Sequence, residues 1–292
     1  EMTSSLVGSE MCIRDRVKMV RIVALNDNRC SNENFGHEHG ISLYIECYGK
    51  KILFDCGQTD IFMQNAKKLN IDLEKLDAIV LSHGDFDHGN GLKYLTTKTD
   101  LICHPDFELT RISKRTGNNN GLNQTREELA QKFNLIESRE PYNISDEIIF
   151  LGQIDRENEF ERGQNLPAWD ENGETYEHLD DSGLVIKTEN GLIVFSGCSH
   201  SGICNTVEYA KKITGDSRVL AVMGGFHLKQ VDECTTKTIE YMKQNGVQMV
   251  YLAHCTSDIV CEEFLKQMPG RATIIETGKE YDLRDKSMEI EI

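Results

Sequence analysis

Short apolar runs alternate with polar turns along this chain, and the spacing of the runs predicts its elements. In the first half, residues 17–25 read as a β-rich strand, and residues 41–48 and 51–54 as a hairpin around Gly49-Lys50. Residues 61–69 read as a helix with Thr59 or Asp60 as its cap. The continuous apolar run 78–81 suits a strand buried on both faces. A glycine-rich turn, a helix from about Gly91 and a short strand at 101–104 follow. The second half alternates more regularly. Strands at 183–187 and 192–195 flank Glu189-Asn190-Gly191, a strong hairpin signal. Then come a helical stripe at 203–213, a strand at 219–223 and a helix at 235–245. A strand at 247–252, a helix at 258–268 stopped by Pro269, and last strands at 272–275 and 287–292 complete the pattern. This order predicts an α/β fold, sheets covered by helices, in one domain over residues 17–292.

Two stretches break the pattern. Residues 1–16 show neither alternation nor a stripe, and the run SSLVGSEMCIRDR resembles a translated sequencing-adapter artefact, so they are set aside as a non-native or disordered leader. Residues 105–147 contain GNNNG and one capping box, Thr125 with Glu128. Residues 155–181 carry ten acids against two bases, Arg156 and Arg162. An acidic lid or insertion is therefore expected around 105–181. The segment 155–181 supplies half of the net charge of −16, so the acidity is concentrated rather than general. That charge opposes nucleic acid and anionic lipid as partners. No run approaches the roughly 20 apolar residues that span a bilayer. The ten cysteines are scattered without a Cys-x-x-Cys pair, which suits buried free thiols in a reducing, cytoplasmic compartment.

The chemistry gathers where apolar runs end. Behind the strand at 78–81 stands Ser82-His83-Gly84-Asp85-Phe86-Asp87-His88-Gly89. Four potential ligands, His83, Asp85, Asp87 and His88, fall within six residues. Imidazole and carboxylate together suit zinc, iron or manganese, and the glycines allow the chain to turn tightly enough to aim them at one place. Such polar groups at the end of a buried strand are costly to desolvate unless something pairs with them. His200, His227 and His254 follow three later apolar runs within five residues of each, where parallel strands would bring them to one sheet edge.

The segment resembles the His-x-His-x-Asp-His signature of the metallo-β-lactamase superfamily, with Asp85 in place of the second His. The motifs Glu38-His39-Gly40-Ile41-Ser42, Phe54-Asp55-Cys56-Gly57, Gly197-Cys198-Ser199-His200, Gly225-Phe226-His227 and His254-Cys255-Thr256 follow in order. Together they resemble the subfamily named for 7,8-dihydropterin-6-yl-methyl-4-(β-D-ribofuranosyl)aminobenzene 5′-phosphate synthase. The resemblance implies an αββα sandwich with two divalent metal ions between the sheet edges, zinc first, manganese or iron as alternatives. His83, Asp85 and one later His would hold one ion, and Asp87, His88 and another later His the second. Asp85 would harden the first site toward manganese or iron. A metal-activated water would attack a phosphoryl or carbonyl centre, with Asp87 orienting it as the catalytic carboxylate. Cys198 stands where the superfamily has a bridging Asp; it is a thiolate ligand, or His200 takes over that place. Asp181 lies near the usual position of another ligand, and is otherwise a structural cap or a solvated acid. Ser82, Ser199 and Thr256 would orient the imidazoles.

Arg111, Lys114 and Arg115 form a basic cluster on an acidic background, suited to clamping a phosphate or else lying on a solvated face. Glu38 and His39 line the same cleft by family analogy, or belong to an exposed loop. Trp169 and Tyr176 could cover a flat ring. The function expected is a metal-dependent hydrolase or related transferase acting on a small, phosphorylated, pterin-like substrate. The alternatives are a metal-binding sensor or scaffold without turnover, and a nuclease, which the charge opposes.

Overall fold

Strand alternation sorts the apolar residues onto two faces, and those faces set the layers. The computed structural model describes residues 20–161 and 168–283; the leader at 1–16 and the strand expected at 287–292 lie outside them. The strands are β1 (Val20–Asn26), β2 (Ser42–Cys47), β3 (Lys50–Phe54), β4 (Ala78–Val80), β5 (Asp100–Cys103) and β6 (Ile112–Ser113). Next come β7 (Asn134–Glu137), β8 (Tyr142–Asn143), β9 (Ile148–Phe150), β10 (Ala168–Trp169) and β11 (Thr175–Tyr176). The last are β12 (Gly183–Thr188), β13 (Gly191–Ser196), β14 (Val219–Gly224), β15 (Met249–Leu252), β16 (Ala272–Ile274) and β17 (Glu280–Leu283). The helices are α1 (Ile61–Lys68), α2 (Phe86–Gly89), α3 (Arg126–Lys132), α4 (Ile203–Thr214), α5 (Glu233–Gln244) and α6 (Asp258–Gln267).

Two seven-stranded sheets result, ordered β17-β1-β2-β3-β4-β5-β7 and β16-β15-β14-β13-β12-β9-β8. Each is antiparallel through one half and parallel through the other, the change falling at β3 in the first and at β13 in the second. Leu43, Ile45, Ile52 and Phe54 face Leu184, Ile186, Ile193 and Phe195 across the middle of the sandwich. The opposite faces carry Tyr44 and Leu53 against α1 and α3, and Val185 and Val194 against α4, α5 and α6. The layers are therefore α, β, β, α. Each fully buried large apolar side chain contributes about 1.5–3 kcal/mol, which places most of the stability in these three clusters.

Several boundaries differ from the sequence reading for identifiable reasons. The β2–β3 turn is Tyr48-Gly49, both at positive φ (49° and 73°), one residue before the expected pair, because Cys47 pairs with Lys50. The helix expected from Gly91 begins earlier, as α2, since the Asp85 carbonyl already accepts from the N–H groups of His88 and Gly89; residues Asn90–Tyr94 are a 3₁₀ turn. The stretch 105–181 is not uniformly peripheral. Strands β7, β8 and β9 extend both sheets, and Arg111, Glu161, His178, Asp180 and Asp181 are buried. Glu161 accepts from the N–H groups of Cys204 and Asn205 at 2.8 and 2.9 Å and so caps α4. The part that projects is the small sheet β11-β10-β6.

Candidate metal centre

The parallel halves of both sheets send their carboxyl ends to one edge. The loops after β3, β4, β13, β14 and β15 bring Asp55, His83 to His88, Cys198 to His200, His227 and His254 there. Asp55, Ser199, His227 and His254 all hold positive φ (56°, 56°, 52° and 46°), a conformation that costs energy in non-glycine residues and concentrates at functional sites. Gly84 is demanded by close approach: a Cβ there would lie 1.6 Å from the Phe107 carbonyl oxygen.

Seven of the nine histidines meet at this edge, ring to ring: His39, His83, His88, His178, His200, His227 and His254. Hydrogen bonds fix how three of them present themselves. Ser82 Oγ donates to Asp55 Oδ2 at 2.7 Å, so it accepts from His83 Nδ1 at 2.9 Å. Asp55 Oδ2 also accepts from His88 Nδ1 at 2.7 Å. Asn28 Nδ2 donates to the His254 carbonyl, which orients the Asn28 amide so that its Oδ1 accepts from His254 Nδ1 at 2.9 Å. In all three rings Nδ1 carries a proton and Nε2 faces the centre. His88 Nε2 and His254 Nε2 lie 3.2 Å apart, two lone pairs that cannot bond each other. His83 Nε2 is buried without a hydrogen-bond partner.

Four groups of donor atoms lie within 4.8 Å of one another: His83-Cys198-His200, His88-Cys198-His254, His39-Asp87-His254 and Asp85-His178-His200. Asp87 Oδ2 is 3.1 Å from His39 Nε2 and 3.3 Å from His254 Nε2. Asp85 Oδ2 is 3.5 Å from His83 Nε2 and 3.8 Å from His200 Nε2. Burial pushes His178 and His254 down to about 4, and His200 and His227 well below the ordinary imidazole value, so these rings are neutral. At His83 burial acts the same way, but the negative charge of the nearby Asp85 carboxylate outweighs it and lifts the ring to about 10. Burial likewise opposes ionisation of Asp85 and Asp87; facing imidazoles, His83 for the former and His88 for the latter, hold both carboxyls well below the usual range. Four neutral imidazoles, two ionised carboxylates and the unpartnered, buried Nε2 of His83, whose proton an incoming ion would displace, are a donor set that suits a divalent cation, so the residues fit the metal centre that the sequence implied.

The remaining expected residues take varied places. His227 lies with its ring centre 4.7 Å from that of His200, tilted by 50°, and lines the opening, but joins none of the four groups. Arg111 does not face the opening. It is fully buried, with Nη1 3.0 Å from Asp85 Oδ1 and Nη2 3.0 Å from Asp180 Oδ2. Asp180 also accepts from the Gly84 N–H at 2.8 Å and the Tyr176 hydroxyl at 2.6 Å. Lys114 and Arg115 do line the opening. Glu38 spends its carboxylate on the N–H groups of Gln58 and Thr59 and the Thr59 hydroxyl, anchoring the approach to α1 rather than lining the cleft. Asp181 accepts from the Ser201 N–H at 2.8 Å. Thr256 Oγ1 accepts from the Phe226 N–H, and Ser199 Oγ donates to the Gly225 carbonyl, so both tie neighbouring loops together.

Four residues escaped the sequence reading: Asp55, Asn28, His178 and Asp180. Asp55 carried a usable signal, a carboxylate directly after a buried strand and before Cys-Gly. His178 and Asp180 sit in the acid-rich stretch, where nothing local separates them from solvated neighbours. Above the centre opens a cavity of about 710 Å³, walled by His39, Ser113, Lys114, Arg115, Ala168 and Lys229.

Comparison with known proteins agrees with this architecture. The model of the metallo-beta-lactamase superfamily matches residues 42–102. The 7,8-dihydropterin-6-methyl-4-(beta-D-ribofuranosyl)-aminobenzene-5′-phosphate synthase of Methanocaldococcus jannaschii is 34% identical over 90% of this chain and 97% of its own. An uncharacterised protein of the same organism is 37% identical over 82% of this chain and 90% of its own. The crystal structure of Tm1679, described as a metal-dependent hydrolase of the beta-lactamase superfamily, superposes with a TM-score of 0.78 at 29% identity, covering 91% of this chain and all of that one.

Proposed function

Because this chain belongs to the metallo-beta-lactamase superfamily, among the relatives of that synthase, we propose a metal-dependent enzyme acting on a small phosphorylated substrate with a flat, pterin-like ring. The reaction is hydrolysis by an activated water or a group transfer at the same centre. The observation that carries this reading is the union of a buried ligand cluster with a cavity whose wall holds Lys114, Arg115 and Lys229. His83, Asp85 and His200 would hold one divalent ion, and Asp87, His88 and His254 a second, with zinc first and manganese or iron as alternatives. Bound there, such ions supply Lewis acidity and bring the ionisation of a water toward neutral pH.

The chain's own residues do the rest. Asp87 lies between His39 and His254, where its carboxylate accepts and orients the proton of a nucleophile. His39 is half-exposed at the mouth; its hydrogen bond to Asp87 raises its pKa, so it keeps a proton available to a leaving group. Lys114 and Arg115 receive the phosphate, and the β6-β10-β11 sheet with Trp169 covers the ring. Eight of the nine described cysteines are buried free thiols and no described helix is long and apolar enough to cross a membrane, which supports a cytoplasmic setting.

Metal analysis tests the reading first: purified protein should carry about one to two ions per chain. The reconstituted chain is then assayed with a reduced pterin plus a ribofuranosylaminobenzene 5′-phosphate, and with phosphoesters, lactones and thioesters. Asp87→Ala should lose both metal retention and turnover. A chain that gains no stability from zinc, manganese or iron sinks the proposal, and tight metal with no turnover on any substrate assigns it to a sensor or scaffold.

A further inference from the structure

One donor atom belongs to two ligand groups at once. Cys198 Sγ lies with His83 and His200 on one side and with His88 and His254 on the other, and it is 3.2 Å from His88 Nε2. The residue is buried, and the loop that bears it is held close by design of the backbone: a Cβ at Gly197 would stand 2.0 Å from Ser82 Oγ. That contact seats Cys198 over the same serine that orients His83. His83, a member of the first group, is buried, and its Nε2 has no hydrogen-bond partner.

We propose that Cys198 is a thiolate bridge shared by two metal ions, one on His83 and His200 and the other on His88 and His254. The proposal rests on the metal-dependent reading above and assigns the ligand that joins its two halves. A thiolate sulfur has lone pairs enough for two ions. The S–H proton leaves to solvent as metal binds, so Cys198 accounts for one proton released per chain. With Asp85 and Asp87 the thiolate makes three anionic ligands against two dications, and the other donors named are neutral imidazoles. A central sulfur also sets the metal preference. Soft and borderline ions, zinc, iron(II) and cobalt(II), gain from it, whereas manganese and magnesium do not. The hardening that Asp85 would impose is blunted because one of its oxygens is taken by Arg111. Cys255 is the natural control: its sulfur accepts from the His227 N–H at 3.2 Å and joins none of the four groups.

Cobalt(II) is the probe. The full chain, stripped of metal and kept reduced, is titrated with cobalt and followed in the near-ultraviolet and visible. The expected result is thiolate-to-cobalt charge-transfer absorption that grows through both the first and the second equivalent, alongside ligand-field bands. Cys255→Ser should keep it. Cys198→Ser should lose it and bind the second equivalent at least about tenfold more weakly. Cys198→Asp, which restores an oxygen bridge, should bind two ions without the charge-transfer absorption and shift preference toward manganese. Charge transfer that stops growing after one equivalent overturns the bridge in favour of a terminal thiolate. Ligand-field bands without charge transfer overturn any role for Cys198 while leaving the metal centre standing. A chain that binds no cobalt overturns both this proposal and the one it rests on.

Discussion

Asp55 shows how much a single carboxylate can decide at this site. Its Oδ2 holds His88 Nδ1 directly and His83 Nδ1 through Ser82, so it selects which nitrogen of two rings faces the centre. Asp55→Asn keeps the volume but can place an amide donor where His88 Nδ1 and the Ser82 hydroxyl now find an acceptor. The His88 proton then moves toward Nε2, the ligating position. Metal affinity should fall by about 10–100-fold with the fold retained, as chelator competition and thermal unfolding of the same samples will show. A second prediction concerns protons. Asp85 lifts His83 to about 10, so the metal-free chain holds a proton there at neutral pH that an incoming ion must displace. Affinity should rise between pH 6 and pH 9, by up to about tenfold per unit for that one proton, and calorimetry in buffers of differing ionisation enthalpy will count it. The clustered donors were legible in the sequence because each follows an apolar run by a few residues. The groups that orient them were less so: Asn28 looks like an ordinary turn residue until the fold brings it to His254, and Asp55, though it directly follows a buried strand, gives no sign of its imidazole partner.

At the scale of elements, Arg111 joins three segments distant in sequence: the α2 ligand loop through Asp85, the β10–β11 flap through Tyr176, and the approach to β12 through Asp180. Burial disfavours its charge, yet Asp180 and Asp85 more than compensate and raise its pKa, so it stays a cation under all ordinary conditions. Arg111→Met would strand two buried carboxylates. It should cost about 3–5 kcal/mol, read from denaturant unfolding of the metal-free chain. The sequence reading offered this arginine to a phosphate or to a solvated face because a base on an acidic background has no visible partner. Its partners, Asp85 and Asp180, lie 26 and 69 residues away. Hairpins fared better than isolated short strands for a related reason. The turns at Tyr48-Gly49 and Glu189-Asn190, each within one residue of the glycine signal, join strands that pair locally, whereas β17 is a strand only because β1 lies beside it.

For the whole molecule, the charge of −16 opposes an anionic substrate, and the cavity wall reverses that sign locally through Lys114, Arg115 and Lys229. Replacing Lys114 and Arg115 together by Ala should raise KM for a phosphorylated substrate by about tenfold at low salt and leave an unphosphorylated analogue unchanged. The gap should narrow as ionic strength shortens the Debye length, which steady-state kinetics across a salt series will measure. The fold class was readable at this scale from the order of the elements, and the division of labour between its sheets was not. Both sheets run antiparallel and then parallel, one built from residues 20–137 with β17, the other from residues 142–274. Each donates only part of the candidate donor set: His83, Asp85, Asp87 and His88 from the first, Cys198, His200 and His254 from the second. A ribosome delivers these halves in order, so the nascent first half emerges with ligands that have no counterparts. The two-ion arrangement proposed above would become possible only once the chain through His254 has been made. Under the proposed two-ion reading, the full donor set is completed late in synthesis, and a polypeptide that ends before His254 would be left without it.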